Sequence, residues 1–581
     1  GVRYGAGDVK RARDLYVEYI KSRGADATAD DWLTVAAAHV RVEDRPEASL
    51  ATERARVLAA KRPDDRPLRA KLRAADADLR NLDRLRELAK SSGLDADIER
   101  ADLLRSLRRS DEAAELVARL KKDHPKDARV RVRQGMVTFE KMATAGKLLE
   151  GAIYASDELK DPNLQNKDGD YWSMMLGAAG VRTMSEVLPE LARNPEAGVQ
   201  KMVGVLKAIR DLADQLAKSQ PGRAAAIAFL VDRTLPLMDK MRTGDVGPIL
   251  AALQASLPEA LALRAKYPET ADVDRLVLTG ATFAPDRAKA FEAVAARPKT
   301  APEDDPPLYL QRARTAVTLA AVIATPAVIA STRAIVNDVP ATDESFTEAV
   351  REALLGDVDV LEAIVQKDAG AWARAVAHYE IARKGHKEVR ARLANNLGFI
   401  ALAQGDQARA EDLFLESARD QSPRRWLAFL NALLSPNRAG ERLTGLRDLA
   451  KANRGDGRPP VVISTWLASV ATDPAESSRA AKEAVDELAT PLYAMKPDAS
   501  AIGLESEGSF QIGLGLASKR RYHEIGSYAY GSLWLMPPPP MSRAELEAKA
   551  RGGAADPKRP DPKKPDPKKP EPKKAEPKPK K

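Results

Sequence analysis

Between Gly370 and Pro423 a small residue and an aromatic residue return together after a fixed interval. Ala375 and Tyr379 are followed, 35 residues later, by Ala410 and Phe414, with Trp372 opening the first copy and Ala382 closing it. Asn395-Asn396-Leu397-Gly398 and Gly405-Asp406 lie between the two copies. Residues four apart share one face of a helix, so each alanine and its aromatic can point into the same contact. Gly398, without a Cβ, permits two antiparallel helices to cross closely, and Gly405 can take the positive φ of the turn that joins them. Ala410 keeps the second helix thin, Phe414 fills the hole against the next pair, and Pro423 ends that helix. A unit of this length cannot bury its apolar face alone and must stack on its neighbours. Strand-like alternation of β-branched residues is rare, so the expected fold is all-α, a solenoid of antiparallel helix pairs without a sheet of consequence.

This pattern resembles the tetratricopeptide repeat, in which an aliphatic-glycine pair, a turn, and then alanine, aromatic, alanine and proline recur over about 34 residues. Weaker copies keep the spacing at Trp32, Val35, Ala36, Ala48 and Ala55, and at Ala101, Leu104, Ala113, Val117 and Pro125. A last copy is expected at Ile512-Gly513, Leu516, Arg520-Arg521-Tyr522, Ile525 (where alanine is usual) and Pro537. Residues 63–93 span one unit and are helical in pattern, but in poor register. The resemblance covers residues 1–127 and 356–539. It implies a concave surface lined by the first helix of each pair, which in the unit beginning near 391 would show Arg392, Asn395, Asn396 and Phe399. In related arrays an asparagine near this point bonds the backbone of a bound peptide. The full lysine/asparagine set that grips a C-terminal carboxylate is missing here, and the plainer reading of Asn395 and Asn396 is helix-surface polarity. Gly7-Asp8, Ala12, Tyr16 and Tyr19 look like the turn and second helix of a repeat, which predicts that its first helix, and any signal peptide or membrane anchor, lies upstream of residue 1.

Residues 128–355 stay helical in pattern without a clean register. Pro162, Pro189, Pro221, Pro236, Pro258 and Pro268 divide them into segments of helix length, read as irregular helix pairs. The loop from Asp161 to Asp170 superficially resembles a calcium loop, but its glycine is misplaced and no Glu stands at the twelfth position, so a surface turn is expected. Residues 300–307 form a joint. Thr315–Thr332 then carries no charge over 18 residues, nominally enough for a membrane span. It is mostly Ala and Thr with Pro326 near its centre, which favours a buried helix pair. Four prolines at 537–540 close the repeats, and 540–581 is a proline-rich linker with a basic tail.

Cysteine is absent and only five histidines occur, so thiolate metal sites, disulfides and Cys nucleophiles are excluded. There is no Walker loop, HExxH, GxSxG or SxxK, and Gly513-Leu-Gly515 follows no strand. His378 and Glu380, two apart on a helix, point to different faces. No catalytic residue, metal or cofactor is assigned, and the chain is read as non-enzymatic with no small-molecule substrate. The net charge of +9 sits mostly in residues 556–581, where 11 basic and five acidic side chains leave +6. Nine prolines there exclude helix and sheet, giving an extended cationic arm without aromatics for base stacking.

Two functions are therefore expected in competition. The first is a scaffold that binds a protein or peptide partner on the concave surface. The second is contact with a polyanion or an anionic surface through residues 556–581. A docking or sensor part of a larger signalling protein is a further alternative. The lack of cysteine, the Ala/Arg/Pro richness and the Lys/Pro arm point to a bacterial cell envelope or periplasm, with the cytoplasm as the alternative.

Overall fold

The computed structural model describes residues 9–145, 147, 150–151, 153–155, 180, 187, 190, 194–218, 220–238, 247–419, 425–453, 461–488, 504–506, 533–535 and 540–552. These residues are almost wholly helical. The N-terminal array comprises α1 (Val9–Arg23), α2 (Ala29–Arg41), α3 (Arg45–Ala59), α4 (Arg66–Leu88), α5 (Leu94–Ser106), α6 (Ser110–Asp123) and α7 (Ala128–Thr144). The middle holds α8 (Pro195–Leu216), α9 (Pro221–Thr234), α10 (Gly247–Gln254), α11 (Ser256–Lys266), α12 (Ala271–Phe283), α13 (Arg287–Ala295), α14 (Pro306–Ile323) and α15 (Pro326–Asn337). Then follow α16 (Ser345–Val365), α17 (Ala369–Gly385), α18 (Arg390–Ala403), α19 (Gln407–Arg419), α20 (Arg425–Leu434), α21 (Arg442–Ala452), α22 (Val461–Val470) and α23 (Pro474–Leu488). Two short strands, β1 (Leu504–Ser506) and β2 (Leu533–Leu535), precede α24 (Arg543–Ala550).

The helix starts are written in the sequence. Asp44, Asp65 and Asp305 each stand one or two residues before a proline in the first turn, and each carboxylate accepts a backbone N–H three residues on. Thr28 with Asp31, and Ser542 with Glu545, form reciprocal caps. Within the best repeat, α18 and α19 are joined at Gly405, whose φ is +84°. A Cβ on Gly398 would lie 2.7 Å from Phe414 Cε1 and 3.1 Å from the Ala410 carbonyl oxygen, so the crossing of the two helices requires glycine. The preceding pair repeats the device, with Gly356 packed directly on the Tyr379 ring. Ala36 and Ala48 are buried in the α2/α3 pair, and Ala375 and Ala410 in the consecutive pairs α16/α17 and α18/α19. Trp32 and Trp372 lie half-buried at the margins of the core, with the Arg54 guanidinium over the Trp32 ring.

The uncharged stretch Thr315–Thr332 is split between two helices; it is buried from Thr315 to Ala321, but beyond Ala324 only Ile329 and Thr332 are buried. It ends α14, turns at Ala324 in the left-handed conformation, and starts α15 at Pro326. Among the described residues no helix is long and apolar enough to cross a membrane. The loop 161–170 and Gly513 lie outside the described residues.

Most of the last expected helix pair, including Ile512, Leu516, Arg520-Arg521-Tyr522, Ile525 and Pro537, lies outside the described residues. Residues 504–506 and 533–535 form antiparallel strands, with Leu504 opposite Leu535 and Ser506 opposite Leu533, so Leu533–Leu535 are extended where helix was expected. Tertiary context decides this. Leu533 and Leu535 belong to the central core with Leu393, Leu397 and Leu354, while Trp534 belongs to the C-terminal core with Trp426, Leu430, Leu467 and Leu546. Alternate side chains of an extended segment point to opposite faces, so three residues reach two cores that no helix of that length could join.

The N-terminal array also folds back onto the middle of the chain. Helix α4 packs on α16 and α17. Arg66 pairs with the buried Glu348 and donates to the Val339 carbonyl at 3.1 Å, and Arg73 pairs with Asp343 at 2.7 Å.

Candidate functional site: a buried polar clamp on an extended strand

Arg392, Asn395 and Asn396 occupy positions i, i+3 and i+4 of α18 and therefore share one face of that helix. The face is not open to solvent. Asn395 and Asn396 are fully buried, Arg392 nearly so, and β2 of the same chain lies across them. This corrects the expectation of an exposed concave surface at these positions: the polar side chains are directed as expected, but residues 533–535 already cover them.

The contacts run to the strand's main chain. Asn396 donates from Nδ2 to the Leu533 carbonyl at 3.0 Å and accepts the Leu535 N–H on Oδ1 at 2.9 Å. One carboxamide thus satisfies an acceptor and a donor two residues apart, as a neighbouring β-strand would. Arg392 Nη1 donates to the same Leu533 carbonyl at 2.9 Å. The Leu535 carbonyl accepts from Asn395 Nδ2 at 3.0 Å and from Asn431 Nδ2, on α20, at 3.1 Å. Strand β1 pairs with the strand's other edge.

A further set of buried groups orients the clamp. Asp357, on α16 and fully buried, receives Arg392 Nη1 at 2.8 and 3.1 Å and the Tyr379 hydroxyl at 2.7 Å. Asn396 Nδ2 lies 3.3 Å from the Tyr379 oxygen, and Asn431 Nδ2 donates to Asn395 Oδ1 at 2.8 Å. Burial pushes the Asp357 carboxyl above its usual range, while Arg392, the Tyr379 hydroxyl and the Leu533 backbone N–H hold the charged form. Burial, with the Asp357 charge, raises the Tyr379 phenol well above its ordinary value, so the hydroxyl stays a donor. Unpaired, each of these groups would cost about 1–3 kcal/mol. Together they form a nearly complete network, with Asn431 Oδ1 left without a hydrogen-bond partner among the described residues.

Phe399 does not belong to the clamp. It is half-buried and packs between the central core and the small cluster of Ala401, Ala410, Phe414 and Ala432. Tyr379, expected only as a repeat-packing residue, has a second role through its hydroxyl. Asp357 and Asn431 carry no signal of their own, yet each can be found by counting one repeat along the chain. Asp357 stands 35 residues before Arg392, and Asn431 stands 36 after Asn395. Successive first helices therefore present polar groups at equivalent places, and the clamp is a ladder across α16, α18 and α20.

A second polar cluster lies on α16 and does not touch the strand through any described contact. His378 Nδ1 is 2.7 Å from Glu352, and its Nε2 is 3.7 Å from Asp359, which also receives Arg333 at 2.7 Å and Arg374 at 3.0 Å. Glu380, by contrast, faces Arg383 and Lys384, so it and His378 do point apart. The described residues contain no group of three or more His, Asp or Glu able to hold a metal ion.

No protein-family model matches this chain, and no curated protein is similar enough to it to indicate kinship.

Proposed function

We propose that this chain is a non-enzymatic interaction scaffold of the tetratricopeptide type, which holds an extended stretch of polypeptide on the concave side of α16, α18 and α20. The supporting observation is the Asn396 carboxamide, which pairs with both the carbonyl of Leu533 and the N–H of Leu535. A face that reads main-chain atoms suits a protein or peptide partner rather than a small substrate. On this reading Arg392, Asn395, Asn396 and Asn431 bind, and Asp357 and Tyr379 orient them. The proposed setting is the bacterial cell envelope.

The competing function, polyanion contact through residues 556–581, rests on the +6 charge gathered there. A pull-down with intact and tail-deleted protein, at low and high salt, separates the two. A scaffold keeps its protein partners without the tail and depends only mildly on salt. Attachment through the arm is lost with the tail and falls steeply as salt rises, because the cationic side chains release counterions. Asn395→Ala should weaken the partners of a scaffold in both salts. Loss of every partner on tail deletion would overturn the scaffold reading.

A further inference from the structure

The clamp is filled by the chain that carries it, and its hydrogen bonds to β2 go to main-chain atoms. Five donor–acceptor contacts connect Arg392, Asn395, Asn396 and Asn431 to the backbone of Leu533 and Leu535. The grip therefore specifies an extended backbone and not the identity of the segment that supplies it. Selection is left to the side chains, which alternate. Leu533 and Leu535 enter the central core, and Trp534 enters the C-terminal core that also holds Trp426 and Leu546. The site therefore takes an aliphatic–aromatic–aliphatic triplet.

We propose that residues 533–535 are a resident occupant of this site, and that the partner is an extended peptide of the same aliphatic–aromatic–aliphatic form, which binds by displacing them. The inference rests on the scaffold reading above and adds to it the partner's chemistry and a means of control. The clamp cannot stand empty, because its carboxamides, guanidinium and carboxylate would be stranded in an apolar surround. A peptide that supplies the same carbonyls and N–H restores every bond, so the exchange conserves the network. The resident strand is about 140 residues from the helix that holds it, and it is bound at the effective concentration of a tethered ligand, on the order of millimolar for a short linker and less for a long one. Its occupancy lowers the apparent affinity for an outside peptide by the fraction of time the site is open. Weakening the resident strand should therefore strengthen partner binding.

The test uses the full chain and a fluorescein-labelled peptide that copies residues 529–539, read by anisotropy. Trp534→Ala in the protein weakens the resident strand and is expected to tighten the labelled peptide at least tenfold over wild type. Adding Asn396→Ala to that variant should reverse the gain at least tenfold, and a peptide with Asp in place of both leucines should not bind. Equal affinity, or no binding, in wild type and a cooperatively melting Trp534→Ala protein would overturn the proposal. Should that variant fail to fold, hydrogen exchange on wild type decides. Saturating peptide should speed exchange of the segment containing 533–535, and unchanged protection would mean that the strand is a permanent part of the core. Failure of the peptide with partners still recovered by the tail-deleted protein would refute the exchange alone. Loss of those partners would refute the scaffold.

Discussion

Asn396 Oδ1 accepts the backbone N–H of Leu535 at 2.9 Å, across 139 positions of sequence. The same carboxamide donates to the Leu533 carbonyl, so its two ends are not interchangeable. Asn396→Ala should cost about 2–4 kcal/mol, since it strands a buried donor and leaves the carbonyl with Arg392 alone. Asn396→Asp should cost more. It keeps the acceptor for Leu535 but cannot donate to Leu533, and it places a second carboxylate near Asp357. Urea denaturation of the three proteins gives the order, and an aspartate variant more stable than the alanine one would contradict this account of the clamp.

Gly398 and Gly405 should fail for different reasons. An added methyl at Gly398 meets Phe414 at 2.7 Å and the Ala410 carbonyl oxygen at 3.1 Å, and helix backbone cannot move cheaply out of its way. Gly398→Ala should lose about 1–3 kcal/mol by overpacking. At Gly405 nothing lies within 4 Å of the position a Cβ would take, and the penalty is the positive φ alone. Gly405→Ala should lose about 1 kcal/mol, and Gly405→Asn less, because asparagine tolerates the left-handed region. Shortening Phe414 to Leu should partly rescue Gly398→Ala and leave Gly405→Ala unchanged, as thermal melts of the double variants would report.

Much of this unit was readable in advance because its constraints are local. The Ala410 and Phe414 spacing, the glycine crossing and the turn at Gly405 are properties of one helix pair, and a pair recurs. The clamp was only half readable. Arg392, Asn395 and Asn396 declare themselves as polar residues on one helix face, but a helix face does not state what lies over it. The answer came from Leu533–Leu535, more than 130 residues away, where three apolar residues serve two cores and a helical register was expected. Phe399 satisfied the same face rule as its neighbours, yet its ring has no hydrogen bond to offer a backbone.

Asp274, in the first turn of α12, predicts a pH dependence. It is 3% exposed, and neither carboxyl oxygen has a hydrogen-bond partner among the described residues. Arg264, Arg275 and Arg312 are near, but they bond to the Ala293 carbonyl, to Asp305, and to the Val294 and Ala295 carbonyls and Asp338 respectively. Burial pushes the Asp274 pKa up to about 6 from an ordinary 3.8, with the three cations opposing and Asp305 assisting. The folded state then holds this proton more tightly than the unfolded chain does. The contribution is most favourable below about pH 3.8 and is lost as pH rises through about 6. Asp274→Asn removes the buried charge and should raise stability at pH 7 by on the order of 1–3 kcal/mol, with little gain at pH 4. A substitution equally stabilising at both pH values, or destabilising at pH 7, would show that the carboxylate is better paired than its geometry indicates.

The attachment of the N-terminal array gives the last prediction. Glu348 is fully buried on α16, pairs with Arg66 of α4, and accepts the Thr342 N–H at 2.7 Å. Beside it the two units touch without spare volume, since a Cβ on Gly385 would lie 2.6 Å from Pro67 Cβ. Glu348→Ala leaves the Arg66 guanidinium half-buried without its carboxylate, and removing one partner of a buried pair costs about 3–5 kcal/mol. Glu348→Gln retains an acceptor for Thr342 and should cost less. Gly385→Leu attacks the same contact through volume instead of charge. Because, among the described residues, α4 meets the central core chiefly through α16 and α17, the loss should fall on the docking of the array, not on the cores themselves. Calorimetry should show the N-terminal array melting as a separate, earlier transition in Glu348→Ala and in Gly385→Leu, with the central transition held in place. A single cooperative transition shifted as a whole would instead mean that the contact is integral to one folding unit.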